Sequence, residues 1–290
     1  MNKLIYESIP LNLLIEKYEP HQFEFGGYTF SDKYIPPKEK QKYGSYILKI
    51  ATGEMTELRQ LNGCSVKLSQ MSELVTMLFK YITGTSIFFD QDGIDLRRKR
   101  VLLVGECPAG WSSNFEELCA SFSTGPIFIG VPHLLLKPNV QMLLSPLYEL
   151  HIMLLQYWKL DATTQYLMRL NYEADLASNI IRGMAYGKVL EIINAIHPMP
   201  KGRGKKDTRI EEFYGEIKEL FKGKTIKNLM DLANNRADTR HYVAHNKDNV
   251  EPHPFMNYDE LGEYGPLIDM LAINEVRMSF GLPIMLSQTE

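Results

Sequence analysis

The hydrophobic pattern of the chain changes near Pro138, and this change limits the folds that the chain can adopt. Before Pro138, short segments such as residues 21–30 alternate aromatic and polar residues, as half-buried strands do. After Pro138, helical segments follow one another between clusters of Pro, Gly and charged residues. The sequence therefore predicts the α+β class, with a β-rich domain over residues 1–139 and a helical domain over residues 140–290.

The predicted elements are short strands followed by longer helices. Strands are predicted at 21–30, 44–50, 54–60, 86–90, 99–105 and 126–131. Ala51-Thr52-Gly53 is a plausible hairpin connection, and Ser69 is predicted to cap a helix over 70–82 that ends at Thr83-Gly84. The later helices are predicted at about 140–158, 162–176, 178–196, 208–222, 225–235, 237–246 and 258–280. Gly281-Leu282-Pro283 is a stop signal for the last helix.

The composition excludes several classes of protein. Apolar residues make up 44% of the chain and charged residues 23%, which excludes a wholly disordered chain. Cys64, Cys107 and Cys119 are few and odd in number, so no disulfide framework is predicted. No segment approaches the roughly 20 apolar residues that span a bilayer, and the N-terminus lacks the continuous apolar region of a signal peptide. We therefore predict a cytoplasmic protein without a membrane partner.

The charge is unevenly distributed along the chain. Residues 201–250 contain 12 Lys and Arg and 8 Asp and Glu, a net charge of +4 in a chain whose formal net charge is −3. Within this basic region, the loop cations are Lys201, Arg203, Lys205 and Lys206. Clustered cations on a loop can bind phosphates without reading base sequence, and the same pattern also occurs in solvated loops that bind nothing.

Residues 234–246 contain the pattern Arg-x4-His twice, as Arg236/His241 and as Arg240/His245. In the second copy, the polar His241 follows Arg240 directly, and three residues separate it from His245. A histidine with a pKa near 6.5 can act as acid or base at neutral pH. Arginine supplies a planar, permanently charged donor for phosphate oxygens. These residue types are therefore chemically suited to act on a phosphate group.

These residues resemble the HEPN family, whose signature is an Arg, a polar residue, three to five further residues and a His within a small antiparallel helical bundle. Arg240, His241 and His245 match that signature. The helix with Leu190-Glu191 resembles an earlier helix of the family, in which an acidic residue follows an aliphatic one. The resemblance covers about residues 141–285, and the architecture is most similar to the ApeA-like group, in which a β-rich domain precedes the bundle.

The resemblance implies a metal-independent RNA endonuclease of the toxin or anti-phage-defence kind, with no cofactor and no metal. His245 would be the general acid/base and Arg240 the phosphate clamp, while His241 would position the RNA or share the proton transfer. Arg236 and the loop cations would bind phosphates of a single-stranded RNA, and Glu191 and Asp238 would support the site. The N-terminal domain would detect a trigger or regulate the nuclease, and an antitoxin is a further possible partner.

The spacing of the motif places a condition on this mechanism. On a straight helix, residues five apart are rotated by about 140°, so Arg240 and His245 do not share a face. They converge only if the helix begins or bends between them, or if a second subunit completes the site. Because members of the family commonly pair two motifs across a dimer, the resemblance implies a homodimer.

Other interpretations of the same residues remain open. His245 can satisfy a helix C-terminus, where a cation is favourable, and Arg240 can pair with Asp238 or Glu191. The chain would then be a non-catalytic HEPN-like module that binds a nucleotide, a nucleic acid or a protein partner. A zinc site at Cys107, Cys119 and His133 is not predicted, because these residues lack ligand spacing and a fourth partner.

Overall fold

The computed structural model of the chain describes residues 3–11, 14–15, 21–32, 46–52, 61–84, 101–106, 135–136, 146–177, 179–200, 205–235 and 258–285. Contacts divide the chain into two compact units, Met1–Leu155 and Gln156–Glu290. The described strands lie in the first part of the chain and the later elements are helices, so the fold belongs to the α+β class. The domain boundary that the sequence places at residues 139/140 stays a prediction.

The elements fall into a strand-containing first part and a helical second part. The strands are β1 (Lys3–Leu11), β2 (Leu14–Ile15), β3 (Gln22–Phe25), β4 (Tyr28–Ser31), β5 (Tyr46–Thr52), β6 (Val101–Glu106) and β7 (Leu135–Leu136). The helices are α1 (Leu61–Thr83), α2 (Leu147–Tyr157), α3 (Ala162–Leu176), α4 (Asn179–Ile196), α5 (Arg209–Phe213), α6 (Ile226–Asn235) and α7 (Tyr258–Ser279). A 3₁₀ helix, Gly215–Phe221, lies between α5 and α6.

The first unit contains an antiparallel sheet with the strand order β3-β4-β5-β1-β6, and β2 pairs with β7 in parallel. Phe23 faces Phe30 across β3 and β4, and Phe30 faces Ile50 across β4 and β5. All three side chains are buried. Helix α1 contacts β1 and β5, and its second half is buried, including Leu78 and Phe79. These apolar side chains belong to the core of the first unit.

The segment 21–30, which the sequence predicts as one strand, is a hairpin. Gly26 and Gly27 join β3 to β4 with φ values of +59° and +80°. Two consecutive residues at positive φ form the type I′ turn, whose twist matches that of the flanking strands. His21 N–H donates to Asp32 Oδ1 at 2.7 Å and closes the open end of the hairpin. The aromatic-polar alternation correctly predicts strand structure, but the glycine pair reverses the chain direction.

Two further predictions for the first unit need correction. Helix α1 begins at Leu61, so Ser69 lies inside the helix instead of capping it. The predicted end of this helix is confirmed, because Gly84 follows Thr83 with a φ of +75°. Ala51 and Thr52 belong to β5 and not to a hairpin connection. The strand predicted at 99–105 is β6, whereas those predicted at 54–60, 86–90 and 126–131 lie outside the described residues.

In the second unit, α4 contacts α3, α6 and α7, and α3 also contacts α7. The contacts bury apolar residues that recur at helical spacing on α4, namely Ala185, Tyr186, Val189, Leu190, Ile192 and Ile193. Ile181, which is also apolar and lies near the start of α4, is exposed. Among the described residues, no helix is both long enough and apolar enough to cross a membrane.

The helix predictions for the second unit are mostly accurate. The segments predicted at 162–176, 178–196, 225–235 and 258–280 correspond to α3, α4, α6 and α7. The segment at 208–222 forms two short helices, α5 and the 3₁₀ helix, because the chain breaks its helical hydrogen bonding at Tyr214. The segment at 140–158 begins later, as α2, and the helix predicted at 237–246 lies outside the described residues.

Helix α7 ends in the way that its sequence predicts. Gly281 has a φ of +69°, Gly281 N–H donates to Met278 O, and Leu282 N–H donates to Arg277 O at 2.9 Å. This pair of hydrogen bonds is the Schellman motif, which requires a residue at positive φ. The chain then turns back along the helix, since Asn274 Oδ1 accepts from Met285 N–H at 2.6 Å.

Asp161 caps α3, and we expect its removal to destabilise this helix. Its Oδ1 accepts hydrogen bonds from the Thr163 and Thr164 N–H groups at 2.8 and 3.0 Å. Asp161→Ala should lower the free energy of unfolding by about 1 kcal/mol, the usual cost of losing an N-cap. Asp161→Asn keeps an acceptor and is the matched control. Urea unfolding followed by circular dichroism measures both, and equal losses would contradict the capping role.

Candidate functional site

Most of the predicted site residues, including all three predicted catalytic residues, lie outside the described part of the chain. These residues are Arg236, Asp238, Arg240, His241, His245, Lys201 and Arg203. Their roles therefore stay predictions. The described residues establish what flanks the motif in sequence: α6 ends at Asn235, α7 begins at Tyr258, and both helices contact α4.

Glu191, the predicted supporting carboxylate, lies on α4. Its Oε2 accepts a hydrogen bond from Lys188 Nζ at 2.8 Å, an i,i+3 pair with both side chains partly exposed. Such a pair on a helix surface contributes only a few tenths of a kcal/mol to stability. Glu191 is thus on the helix that both flanking helices contact, and one of its carboxylate oxygens carries an ion pair.

Lys205 and Lys206 are the two predicted phosphate-binding residues that the structure describes, and both are exposed. They precede Asp207, whose side chain is only 3% exposed and forms an ion pair with Arg209. The two exposed lysines therefore directly precede a buried ion pair. This ion pair fixes the position of the chain at the end of the basic loop.

Arg209 is at the centre of that buried network. Its Nε and Nη2 donate to the two carboxylate oxygens of Asp207 at 2.7 and 2.8 Å, and its Nη1 donates to Asn194 Oδ1 at 2.6 Å and to His197 O at 2.9 Å. The guanidinium is nearly inaccessible to solvent. A bidentate arginine-carboxylate pair is geometrically specific, and burying it is tolerated only because its donors are satisfied.

The carboxylate of Asp207 is stabilised in its charged form. Burial by itself would raise its pKa, but hydrogen bonds from the Arg209 side chain and from Lys227 N–H outweigh burial and hold the pKa below its usual range. The Lys227 N–H is in the first turn of α6 and donates to Asp207 Oδ2 at 2.8 Å. Asp207 and Arg209 thus connect the end of α4, the start of α5 and the start of α6.

A second network connects α4 to α7 through a histidine and a carboxylate. His197 Nε2 lies 2.8 Å from Glu275 Oε2, and Tyr214 Oη donates to the same oxygen at 2.6 Å. Because an ionised carboxylate can only accept, Nε2 carries the hydrogen in this pair and the imidazole is held in one orientation. The His197 ring stacks on Phe213 at a centroid distance of 3.9 Å.

Tyr214 serves as a hydrogen-bond donor in this network. Burial, followed by the negative charge of Glu275 and the hydrogen bond to it, raises the pKa of Tyr214 well above its usual value. Tyr186 on α4 is similar, because burial and the carboxylates of Asp269 and Asp175 raise its pKa. Both phenols stay neutral at physiological pH, so neither can act as a general base there.

Sequence reasoning did not identify the residues of these networks, which are Asn194, His197, Asp207, Arg209, Tyr214 and Glu275. The His197–Glu275 pair joins residues 78 positions apart, so no short motif reveals it. The local signals were Asp207 two residues before Arg209 and His197 at the end of a predicted helix. Such short patterns are common in sequences. Only their burial in the folded chain shows that these residues form a network.

The networks have a limited range of possible chemistry. A carboxylate that orients an imidazole occurs in general-base catalysis, but here the imidazole is mostly buried, with Phe213 stacked against it. We therefore interpret the networks as a framework that positions the exposed residues around it. Among the described residues, no group of three or more His, Cys, Asp and Glu could hold a metal ion.

Comparison with known proteins adds no family assignment. No protein-family model matches the chain, and neither a curated protein nor a solved structure matches it.

The Asp207–Arg209 pair should make the helical unit sensitive to acid. The pKa of Asp207 is lower in the folded chain than in the unfolded one, so its contribution to stability is complete above about pH 4 and is lost as the pH falls through the folded pKa. Asp207→Asn should lower the free energy of unfolding at pH 7 by about 3 kcal/mol, because it leaves a buried arginine without its charge partner.

The same variant should also show a shallower loss of stability below pH 4. Urea unfolding at pH values from 7 to 2.5, followed by circular dichroism, measures both effects. Glu216→Gln, which removes an exposed carboxylate, is the matched control. Identical acid sensitivity of Asp207→Asn and the unchanged chain would contradict the assignment.

Proposed function

We propose that the chain is a metal-independent RNA endonuclease of the HEPN type, with Arg240 as phosphate clamp and His245 as general acid/base. The observation that carries this proposal is the sequence Arg240-His241-x3-His245, which lies between two helices that both contact α4. In the proposal, α3, α4, α6 and α7 are part of an antiparallel bundle that surrounds the motif.

The chemistry needs only the residues of this motif and the RNA. The ribose 2′-OH attacks the adjacent phosphate, so one group must accept its proton and another must protonate the departing 5′-oxygen. Histidine is suited to both tasks near neutral pH. The guanidinium of Arg240 stabilises the charge that develops on the phosphate oxygens. His241 positions the RNA or shares the proton transfer, while Arg236 and the loop cations hold neighbouring phosphates.

A homodimer is part of the proposal, because Arg240 and His245 do not share a face on a straight helix. A two-fold dimer brings two copies of the motif together, so that Arg240 of one protomer can meet His245 of its partner. Glu191 and Asp238 orient the cations of the site.

The biological setting that we propose is a cytoplasmic toxin or anti-phage-defence nuclease acting on single-stranded RNA. The strand-containing first unit senses a trigger or restrains the nuclease, and an antitoxin is a second means of restraint. A nuclease without base specificity would harm its own cell, which is why the proposal includes control by a trigger or a partner.

One observation favours a second candidate function. In the described part of the helical unit, the side chains of Arg209 and His197 form hydrogen bonds to other residues of the chain and so support the fold. If Arg240 and His245 behave in the same way, the chain is a non-catalytic HEPN-like module that binds a nucleotide, a nucleic acid or a protein partner.

Cleavage of single-stranded RNA in EDTA tests the proposed mechanism. We expect the purified chain to cleave, and Arg240→Ala and His245→Ala each to reduce the rate by at least about 100-fold, the lower end of the effect of general acid-base groups. Arg169→Ala and His253→Ala are matched controls outside the motif. Electrophoresis of labelled RNA measures the rates. Full activity of His245→Ala would contradict the mechanism, and RNA that is bound but stays intact would favour the binding module.

Mixing two inactive variants tests the shared site. If Arg240 and His245 meet across a dimer, a mixture of Arg240→Ala and His245→Ala chains contains heterodimers with one intact site. After equilibration, the mixture should recover about a quarter of the original activity, since half of the dimers are mixed and each of these has one of its two sites intact. No recovery, together with a monomeric mass in solution, would contradict the dimer.

A further inference from the structure

Phe213 is a partly exposed aromatic residue at the end of α5, and its ring lies against a polar network. Phe213 is 38% exposed, and its ring stacks on the His197 ring at a centroid distance of 3.9 Å with an angle of 25° between the planes. Exposed aromatic rings on soluble proteins are frequent contact points for ligands, because they offer a large apolar surface at little cost in side-chain entropy. The groups around the Phe213 ring determine which ligand it can bind.

The ring pair is held in place before any ligand binds. His197 cannot rotate freely, because Nε2 is bonded to Glu275 and Glu275 also accepts from Tyr214. The backbone carbonyl of His197 is held by Arg209. A flat ring stacked on an immobilised imidazole loses little conformational freedom when a second flat group stacks on it, and this preorganisation favours binding.

Two exposed lysines lie on the segment that the same arginine holds. Lys205 and Lys206 directly precede Asp207, and the guanidinium of Arg209 bonds both Asp207 and the carbonyl of His197. The buried Arg209 side chain therefore connects the segment that carries the lysines to His197, on which the Phe213 ring stacks. Exposed lysines and an exposed aromatic ring that belong to one such framework offer the two kinds of contact that single strands use, with phosphates on the cations and bases on the ring.

The acidic residues of α5 limit how a polyanion can approach. Glu211 is two residues before Phe213, which places it about 200° around the helix, close to the opposite face. The Glu212 carboxylate accepts a hydrogen bond from Thr208 Oγ1 at 2.6 Å. A phosphate backbone is therefore repelled by the glutamates of α5 and attracted by Lys205 and Lys206, which precede the helix in the chain.

We propose that Phe213, stacked on His197, and the lysines Lys205 and Lys206 form a subsite for single-stranded RNA, in which a base stacks on Phe213 and the adjacent phosphates lie on the lysines. A duplex would hide the base faces within its own stack, so the subsite selects unpaired RNA. The inference rests on the proposed function, because it takes RNA as the substrate, and it adds a positioning role for Arg209.

The test is the affinity of the full chain for an uncleavable probe, a fluorescent 12-nucleotide 2′-O-methyl oligoadenylate, in EDTA. Phe213→Ala should weaken binding about 5- to 160-fold, the range for the loss of one base-aromatic stack, and Phe213→Tyr should restore it. Tyr166→Ala, which removes an exposed aromatic residue of α3, is the matched control and should change nothing. Thermal unfolding of each variant checks that the fold persists.

The lysines have a separate readout, the dependence of affinity on salt. Replacing Lys205 and Lys206 with Ala should lower the slope of log K against log salt by about 1.4, since each phosphate contact to a single strand contributes about 0.7. The exposed Lys218 and Lys222 are the matched pair and should leave the slope unchanged. Arg209→Lys should also lower the slope, because it weakens the link between the lysine segment and His197.

The outcomes separate this inference from the proposed nuclease. Unchanged affinity in Phe213→Ala, or an unchanged salt slope in the lysine variant, overturns the subsite even if the chain cleaves RNA. The predicted losses without any cleavage support the subsite and contradict the nuclease. If Phe213→Ala alters the mass of the chain in solution but not its affinity for the probe, the ring is a protein contact and the subsite is overturned.

Discussion

The described geometry of the helical unit depends on the buried ion pair and hydrogen bonds of the Arg209 guanidinium. It bonds Asp207, Asn194 and the carbonyl of His197, and Asp207 in turn accepts from the first turn of α6. A charge of this kind is stable in a core only when every donor is satisfied. The end of α4 and the starts of α5 and α6 are therefore coupled through one ion pair, so a displacement of one of them changes the position of the others.

The sequence predicts the helical unit better than the strand-containing unit, and particular residues explain the difference. Asp161 and the Gly281-Leu282-Pro283 stop are local signals whose hydrogen bonds form within a few residues, so α3 and the end of α7 are predicted closely. Gly26 and Gly27 divide a segment whose alternation suggests one strand. The start of α1 at Leu61 is not predicted, because the sequence suggests a cap at Ser69, which lies inside the helix.

The candidate site also contains both local features that a sequence can reveal and long-range contacts that it cannot. The Arg240–His245 motif and the basic loop can be recognised from short spacing, and the residues that hold Lys205 and Lys206 in place cannot. Glu275 meets His197 and Tyr214 only because α7 returns to α4 over a long stretch of chain. Long-range pairs of this kind depend on tertiary packing, which leaves no periodic trace in a single sequence. A local motif can thus be recognised in a single sequence, whereas a framework of long-range contacts cannot.

The separation of the network partners along the chain implies an order of assembly. The contacts of Arg209 with Asp207, His197 and Asn194 close short loops, of 2, 12 and 15 residues, whereas the Glu275–His197 pair closes one of 78. Longer loops cost more entropy to close, so the nearby contacts have the smaller barrier. We expect the hydrogen bonds of Arg209 with Asp207, His197 and Asn194 to form first during folding. Docking of the last helix would then be the late step that locks the histidine.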